Sequence, residues 1–324
     1  MSAIAFLFPG QGSQRVGMGH DLVARHPELL DRYYRPADEL LGFPLSRLCW
    51  EGPLEELRDT RITQPAVFLT SLVTLDVLRS RGIEPALVAG HSLGEYTALV
   101  CAGVLDWRDA LPLVRRRGEL MAAVNERTPG AMAAVIGLAA PAVEKLCASV
   151  GAEEGGVVEV ANYNEPGQLV ISGTAAAVRA TAAAAKEAGA QKVVILDVGA
   201  PFHCSLMRDV EAAFRADLEA VTFHEPRIPV VANVTAGYVR GADGAVDGLR
   251  RQLAGSVRWT ETLERLAADG TTAFVEVGPG KVLTGFARAT RPEIPQYATR
   301  DVRQLDRAIK ALTSNGEPEP PVVD

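Results

Sequence analysis

Cysteine is scarce in this chain: Cys49, Cys101, Cys147 and Cys204 are the full set. They are widely spaced and form no C-x-x-C pair, so a zinc site is not supported. The simple reading is reduced thiols in a cytoplasmic protein. No apolar run is long enough to span a membrane. The N-terminus shows no basic leader and no small-residue cleavage site ahead of its first apolar run, so a secretory signal is not expected. Basic charge is in deficit. Lys and Arg number 33 against 40 Asp and Glu, a formal net charge of -7, which argues against generic nucleic-acid binding. An acidic partner would have to dock on a local basic patch. Aromatic residues are few, at 6%, and there are only five histidines, so any base of that type comes from a short list. No internal repeat is present.

What the chain does have is a large apolar fraction, 48% of 324 residues, dominated by alanine, valine, leucine and glycine. That is enough to bury a large core in one big domain or two lobes, and the composition reads as an α/β fold. The run from Ile4 to Phe8 is strand-like and ends in a glycine-rich turn, Pro9 to Gln14, where a ligand-approaching loop sits in an open α/β sheet. Thr63 followed by Pro65 reads as a helix N-cap and first turn, with the helix running through Leu78. A further helix covers Trp107 to about Val124. From about Gly130 to Val198 the rhythm changes. Strand Ala131–Leu138, helix Pro141–Val150, strands Val157–Ala161 and Gln168–Ser172 around a turn over Asn162–Gly167, helix Ala175–Ala188 and strand Lys192–Asp197 give the order βαββαβ. That is the ferredoxin-like unit, inserted into a larger α/β domain. The expected division is 1–128 with 199–313 as the large subdomain and 129–198 as the small one. The proline- and glutamate-rich residues 314–324 read as a flexible tail.

The stretch Gly90-His91-Ser92-Leu93-Gly94 follows an apolar run, Pro85–Ala89, and opens a helix-compatible run, Glu95–Cys101. Strand, sharp turn and helix with one serine at the bend is the nucleophile elbow, whose flanking glycines let the backbone turn tightly and lift Oγ into a cleft. A serine needs a base. His20, His26 and His224 sit in polar loop-like stretches. His91 adjoins Ser92, and adjacent side chains diverge at an elbow, so it supports the site rather than acting as base. His203, in a turn right after a strand, is the candidate base. Its tautomer could be held by Asp197 or by a backbone or side-chain carbonyl. The oxyanion needs donors: the N–H of Leu93 is the expected first, and Gln11 in the Pro9–Gly12 turn is placed for the second. Arg115, Arg116 and Arg117 are consecutive, about 100° apart on a helix, and cannot share one face. At least one must turn toward apolar neighbours, and a buried arginine calls for an anion such as a substrate carboxylate.

Taken together, these motifs resemble the malonyl-CoA:acyl-carrier-protein transacylase family from about Ile4 to Leu312. The matching segments are Phe8 to Gln14, Gly90 to Glu95, Arg117-Gly118 before Met121, Asn162-Tyr163-Asn164 with Pro166-Gly167-Gln168, Phe202-His203, and Val275 to Gly280. The resemblance implies a hydrolase-like α/β large subdomain with a ferredoxin-like small subdomain. It also implies ping-pong transfer of a malonyl group from malonyl-CoA, through Ser92, to the phosphopantetheine thiol of an acyl carrier protein. It makes Ser92 the nucleophile, His203 the base, Gln11 and Leu93 the oxyanion donors and Arg117 the carboxylate clamp. It places the histidine-orienting main-chain carbonyl at Gln252, which lowers Asp197 as a candidate. His91, Asn164 and Phe202 line the site. Malonyl-CoA and the carrier's phosphopantetheine are substrates, and no bound cofactor or metal is implied. Leu93 after the serine and Phe202 before the histidine resemble malonyl-selective members. Phe202 in place of serine tilts toward a free-standing enzyme serving a polyketide rather than a fatty-acid synthase. Lys281, Arg288 and Arg291 are candidates for carrier docking. The competing readings are a serine thioesterase or editing hydrolase, and a non-catalytic docking protein.

Overall fold

The computed structural model describes residues 3–127, 129–198 and 200–313. The expected subdomain boundaries at Thr128 and Gly199 and the expected tail lie outside the described residues. Two sheets organise the chain. The first has five parallel strands in the order β7-β2-β1-β8-β9, where β1 is Ala3–Phe8, β2 Leu87–Gly90, β7 Val230–Val231, β8 Thr271–Glu276 and β9 Gln296–Ala298. β1 is buried from Ile4 to Phe8 and reads as an unbroken apolar run, as expected of a strand covered on both faces. The register pairs Leu7 with Ala89 and Phe8 with Gly90, so β1 and β2 end side by side. The loops leaving them open at the same carboxyl edge, and β7 ends next to β2. Gln11, Ser92 and Asn233 therefore start from neighbouring strand ends, where an open parallel sheet presents its ligand sites.

The second sheet is antiparallel, in the order β4-β5-β3-β6, with β3 Gly130–Ile136, β4 Val158–Glu165, β5 Gln168–Thr174 and β6 Lys192–Ile195. Helices Ala140–Glu154 and Ala175–Glu187 fall between its strands, which gives the expected βαββαβ order. Ala133, Val135, Val158, Val160 and Ile171 pack on those helices through Val143, Cys147, Val178 and Ala182. Met132, Ala134 and Val170 point the other way, into the cleft between the two sheets. This is the two-residue alternation of a strand with both faces in use.

Two local expectations are corrected. The asparagine-rich stretch from Asn162 is not a turn. β4 continues to Glu165 and the reversal is confined to Pro166-Gly167, with Gly167 at φ 80°. The strand persists because the far edge of β4 is also paired: Tyr163 N donates to Val257 O at 2.9 Å and Val257 N to Ala161 O at 2.8 Å. The helix expected to be capped at Thr63 begins at Thr60, with Asp59 accepting from Arg61 N at 2.9 Å. Pro65 lies inside it. A proline there lacks the N–H that would reach Arg61 O. Arg115 Nη1 donates to that carbonyl instead, at 2.8 Å.

Candidate active site

Ser92 stands between β2 and the helix Gly94–Cys101 with φ 51°, a left-handed conformation rare for a residue with a Cβ. Such a backbone costs on the order of 1–3 kcal/mol and persists only where its surroundings over-determine it. The flanking glycines are required by contact. A Cβ on Gly90 would overlap the backbone of Gly94, and one on Gly94 would overlap the Phe8 carbonyl. The elbow is therefore pressed directly against the end of β1.

Ser92 Oγ lies 2.7 Å from His203 Nε2. His203 Nδ1 lies 2.8 Å from the main-chain oxygen of Gln252, the last residue of helix Gly241–Gln252. A carbonyl there has no intrahelical donor, so the ring satisfies it, and the pairing assigns the Nδ1–H tautomer that leaves Nε2 free to accept from Ser92. The negative end of that helix also favours an imidazolium if one forms. Asp197, the other sequence candidate for this task, is exposed and is not a hydrogen-bond partner of His203. The N–H groups of Leu93 and Gln11 donate to no backbone acceptor outside helices and strands among the described residues. Leu93 N–H sits at the N-terminus of the elbow helix, whose dipole adds to its pull on an anion.

Of the three consecutive arginines only Arg117 is turned in, at 1% exposure. Arg115 and Arg116 pair with Glu119 nearer the surface. Arg117 Nη1 donates to Gln64 Oε1 at 2.6 Å, and Nη2 donates to Ser92 Oγ at 3.0 Å and to Gln252 Oε1 at 2.9 Å. All three partners are uncharged, and Nε is buried with no partner at all. A cation held out of water among neutral acceptors is poised for an anion. A cavity of about 250 Å³ joins these groups, with Gln11, Phe202, Asn164 and Met132 in its wall. His91 meets Asn164 Oδ1 through Nε2 at 2.8 Å, with its ring edge-on to Trp259.

Comparison with known proteins bears on this arrangement. Residues 5–306 match the acyl transferase domain family. The chain is 45% identical over 311 residues to the malonyl CoA-acyl carrier protein transacylase of Escherichia coli K12, covering 96% of this chain and all of that protein. It is 42% identical to the Bacillus subtilis 168 protein of the same name, covering 98% of this chain and 99% of that one. A malonyl-transacylase solved in complex with its type II polyketide synthase acyl-carrier protein superposes with a TM-score of 0.92 at 40% identity, covering 95% of this chain and 99% of that one. The chain belongs to the malonyl CoA-acyl carrier protein transacylase family.

Burial sets the site's electrostatics, and here the transacylase site departs from ordinary pKa values. His203 is pushed down to about 3, first by desolvation and then by the nearby Arg117 cation. His91 is pushed down to about 4 by desolvation, against its bond to Asn164. Glu95 is 1% exposed and is raised to about 7 by burial, against its bonds to Gln252 and Asn233 and the Arg117 charge. Both imidazoles are thus neutral at physiological pH.

Several residues that the sequence reading did not assign prove central. Asn233 Oδ1 accepts from Ser92 N at 2.7 Å while its Nδ2 donates to Gly90 O at 2.6 Å. Gln64 links Arg117 to Thr60 Oγ1, which donates to Gln11 Oε1 at 2.7 Å, so a polar chain ties the guanidinium to the loop after β1. Gln64 had a signal, a polar residue amid a buried helix. Asn233 had none beyond its place at a strand end. Lys281 and Arg288 line a hollow of about 530 Å³ beside the cleft, with Val282, Phe286 and Gln168 common to both. Arg291 faces Glu293 instead.

Proposed function

We propose that this chain transfers a malonyl group from malonyl-CoA to the phosphopantetheine thiol of an acyl carrier protein, through an ester on Ser92. The observation that carries this reading is the buried Arg117 guanidinium 3.0 Å from Ser92 Oγ, with no charged partner among its hydrogen bonds. A malonyl ester on Oγ ends in a carboxylate a few bonds away, which suits that guanidinium; an uncharged acyl group would leave it unpaired.

The contacts around Ser92 support the following steps. Ser92 Oγ passes its proton to His203 Nε2 as it attacks the thioester carbon. The oxyanion is held by the N–H groups of Leu93 and Gln11. The carbon–sulfur bond breaks and the coenzyme A sulfur leaves with the proton from Nε2. The carrier's thiol then loses its proton to His203, attacks the ester, and Ser92 departs with that proton. The substrate carboxylate on Arg117 also cancels part of the cationic field that depresses His203, so the base strengthens when the matching acyl group arrives. The bulk of Phe202 in the cavity wall disfavours a methyl on the acyl carbon, worth about 1–3 kcal/mol.

Polyketide supply is the more specific form of this reading, resting on Phe202 in place of serine; fatty-acid supply is the broader one. Coenzyme A and phosphopantetheine enter as substrates, and the proposed steps use protein groups alone. A cytoplasmic setting agrees with four buried, unpaired cysteines. Among the described residues no helix is long and apolar enough to cross a membrane. Intact-protein mass measurement after mixing with malonyl-CoA tests the proposal. It expects one malonyl adduct, discharged by a holo acyl carrier protein. Release of free malonate in place of carrier loading would instead mark a hydrolase.

A further inference from the structure

Ser92 holds its strained backbone with both of its main-chain polar groups gripped by side chains. Its N–H donates to Asn233 Oδ1 at 2.7 Å, and its carbonyl accepts from Gln252 Nε2 at 2.9 Å. These two grips come from distant parts of the chain, and they meet on one carboxylate. Glu95 Oε2 accepts from Gln252 Nε2 at 2.6 Å and from Asn233 N at 3.3 Å. Gln252 also supplies the carbonyl that orients His203 and the amide oxygen that touches Arg117.

We propose that Glu95 is a positioning residue of the reaction, fixing the Ser92 elbow through Asn233 and Gln252 without touching the substrate. A carboxylate suits this place because its oxygen can accept from two donors at once. An amide at Gln252 could face either way. With Glu95 and Ser92 O accepting from its nitrogen, only its oxygen is left for Arg117, which has donors alone. Removing the acceptor at Glu95 orphans one hydrogen on Gln252 and the N–H of Asn233, both buried. The left-handed turn at Ser92 then loses the support that keeps Oγ 2.7 Å from His203.

The inference rests on Ser92 being the nucleophile but not on the identity of the acyl group, and the test uses a reagent that separates the two. A fluorophosphonate probe reports the reactivity of Ser92 without any acyl carrier or malonyl-CoA. Glu95→Leu, of similar bulk and with no acceptor, is expected to label about 30-fold more slowly than wild type. Glu95→Gln, which keeps an oxygen acceptor, is expected to label at least about tenfold faster than Glu95→Leu. A general structural role would lower melting temperature and labelling together and would not sort the variants by acceptor. Folded Glu95→Leu that labels at the wild-type rate overturns the inference, and so does Glu95→Gln that labels as slowly as Glu95→Leu. Where Glu95→Leu fails to fold, Glu95→Asp withdraws the carboxylate by one methylene; slower labelling supports the inference and wild-type labelling overturns it. Absence of labelling in the wild type would sink the nucleophile reading itself.

Discussion

Ser92 and Gln11 reach the cleft from loops beyond the ends of β2 and β1, with Asn233 beyond β7 bracing the Ser92 backbone from behind, whereas Met132, Asn162 and Asn164 reach it from the face of a sheet. The parallel sheet presents Ser92 and Gln11 on strained or tightly packed turns. The antiparallel sheet delivers a wall. Even that wall needs a device. Val158 and Val160 face the helices, yet Asn162 and Asn164, in the same alternating set, face the cleft. The register shift between Val160 and Asn162 supplies the extra residue that changes the phase. A β-bulge here re-aims two side chains in one step. On the function proposed above, the parallel-sheet edge carries the nucleophile and the loop of Gln11, and the antiparallel sheet shapes the space beside them.

The steepest test of that division is Ser92→Ala, expected to show no malonyl adduct by intact mass while retaining a cooperative melt. Next, Arg117→Ala is expected to cut kcat/KM for malonyl loading by about 10²–10³-fold, with a much smaller change for acetyl. Equal loss for both groups would mean that Arg117 holds the site together rather than the carboxylate. The third concerns pH. A base of ordinary pKa would lose about 30-fold in its neutral form at pH 5. With His203 held down at about 3, loading is expected to stay nearly flat from pH 8 to pH 5, measured in short pulses. The same shift makes acid destabilising. Because the folded pKa lies below the unfolded one, His203's contribution is full above about 6.5 and declines as pH falls toward 3, by about 1.4 kcal/mol per unit. Denaturant midpoints at pH 8 and pH 5 would register it. The smallest effect is on the wall: Asn164→Ala is expected to slow loading only about three- to tenfold, through the loosened His91 ring. A loss as large as that of Arg117→Ala would erase the contrast between the two sheets.

How far the sequence could be read depended on whether a residue's task was local. Ser92 was visible because its glycines and its strand–helix context are neighbours in the chain. Arg117 was visible because three consecutive arginines cannot share a helix face. His203 emerged by elimination among five histidines, and the carbonyl of Gln252 came from family resemblance. Glu95 and Asn233 were missed because their partners lie more than a hundred residues away and their identity alone marks neither. Asn162 and Asn164 were read as a turn for the same reason. Asparagine favours turns, but here β5 on one side and Val257 on the other hold them in a strand.

The pairing of β4 with Val257 has a consequence for how the molecule behaves in crowded solution. An unpaired strand edge is a template for another chain, and the antiparallel sheet would otherwise offer two. Val257 covers one of them, leaving β6, where Val194 and Ile195 are 37% and 52% exposed and Lys192 is the exposed charge on the strand. Among the described residues, self-association of the folded chain by strand addition thus has one open edge on this sheet, opposite the edge that is tied to the parallel-sheet half of the molecule.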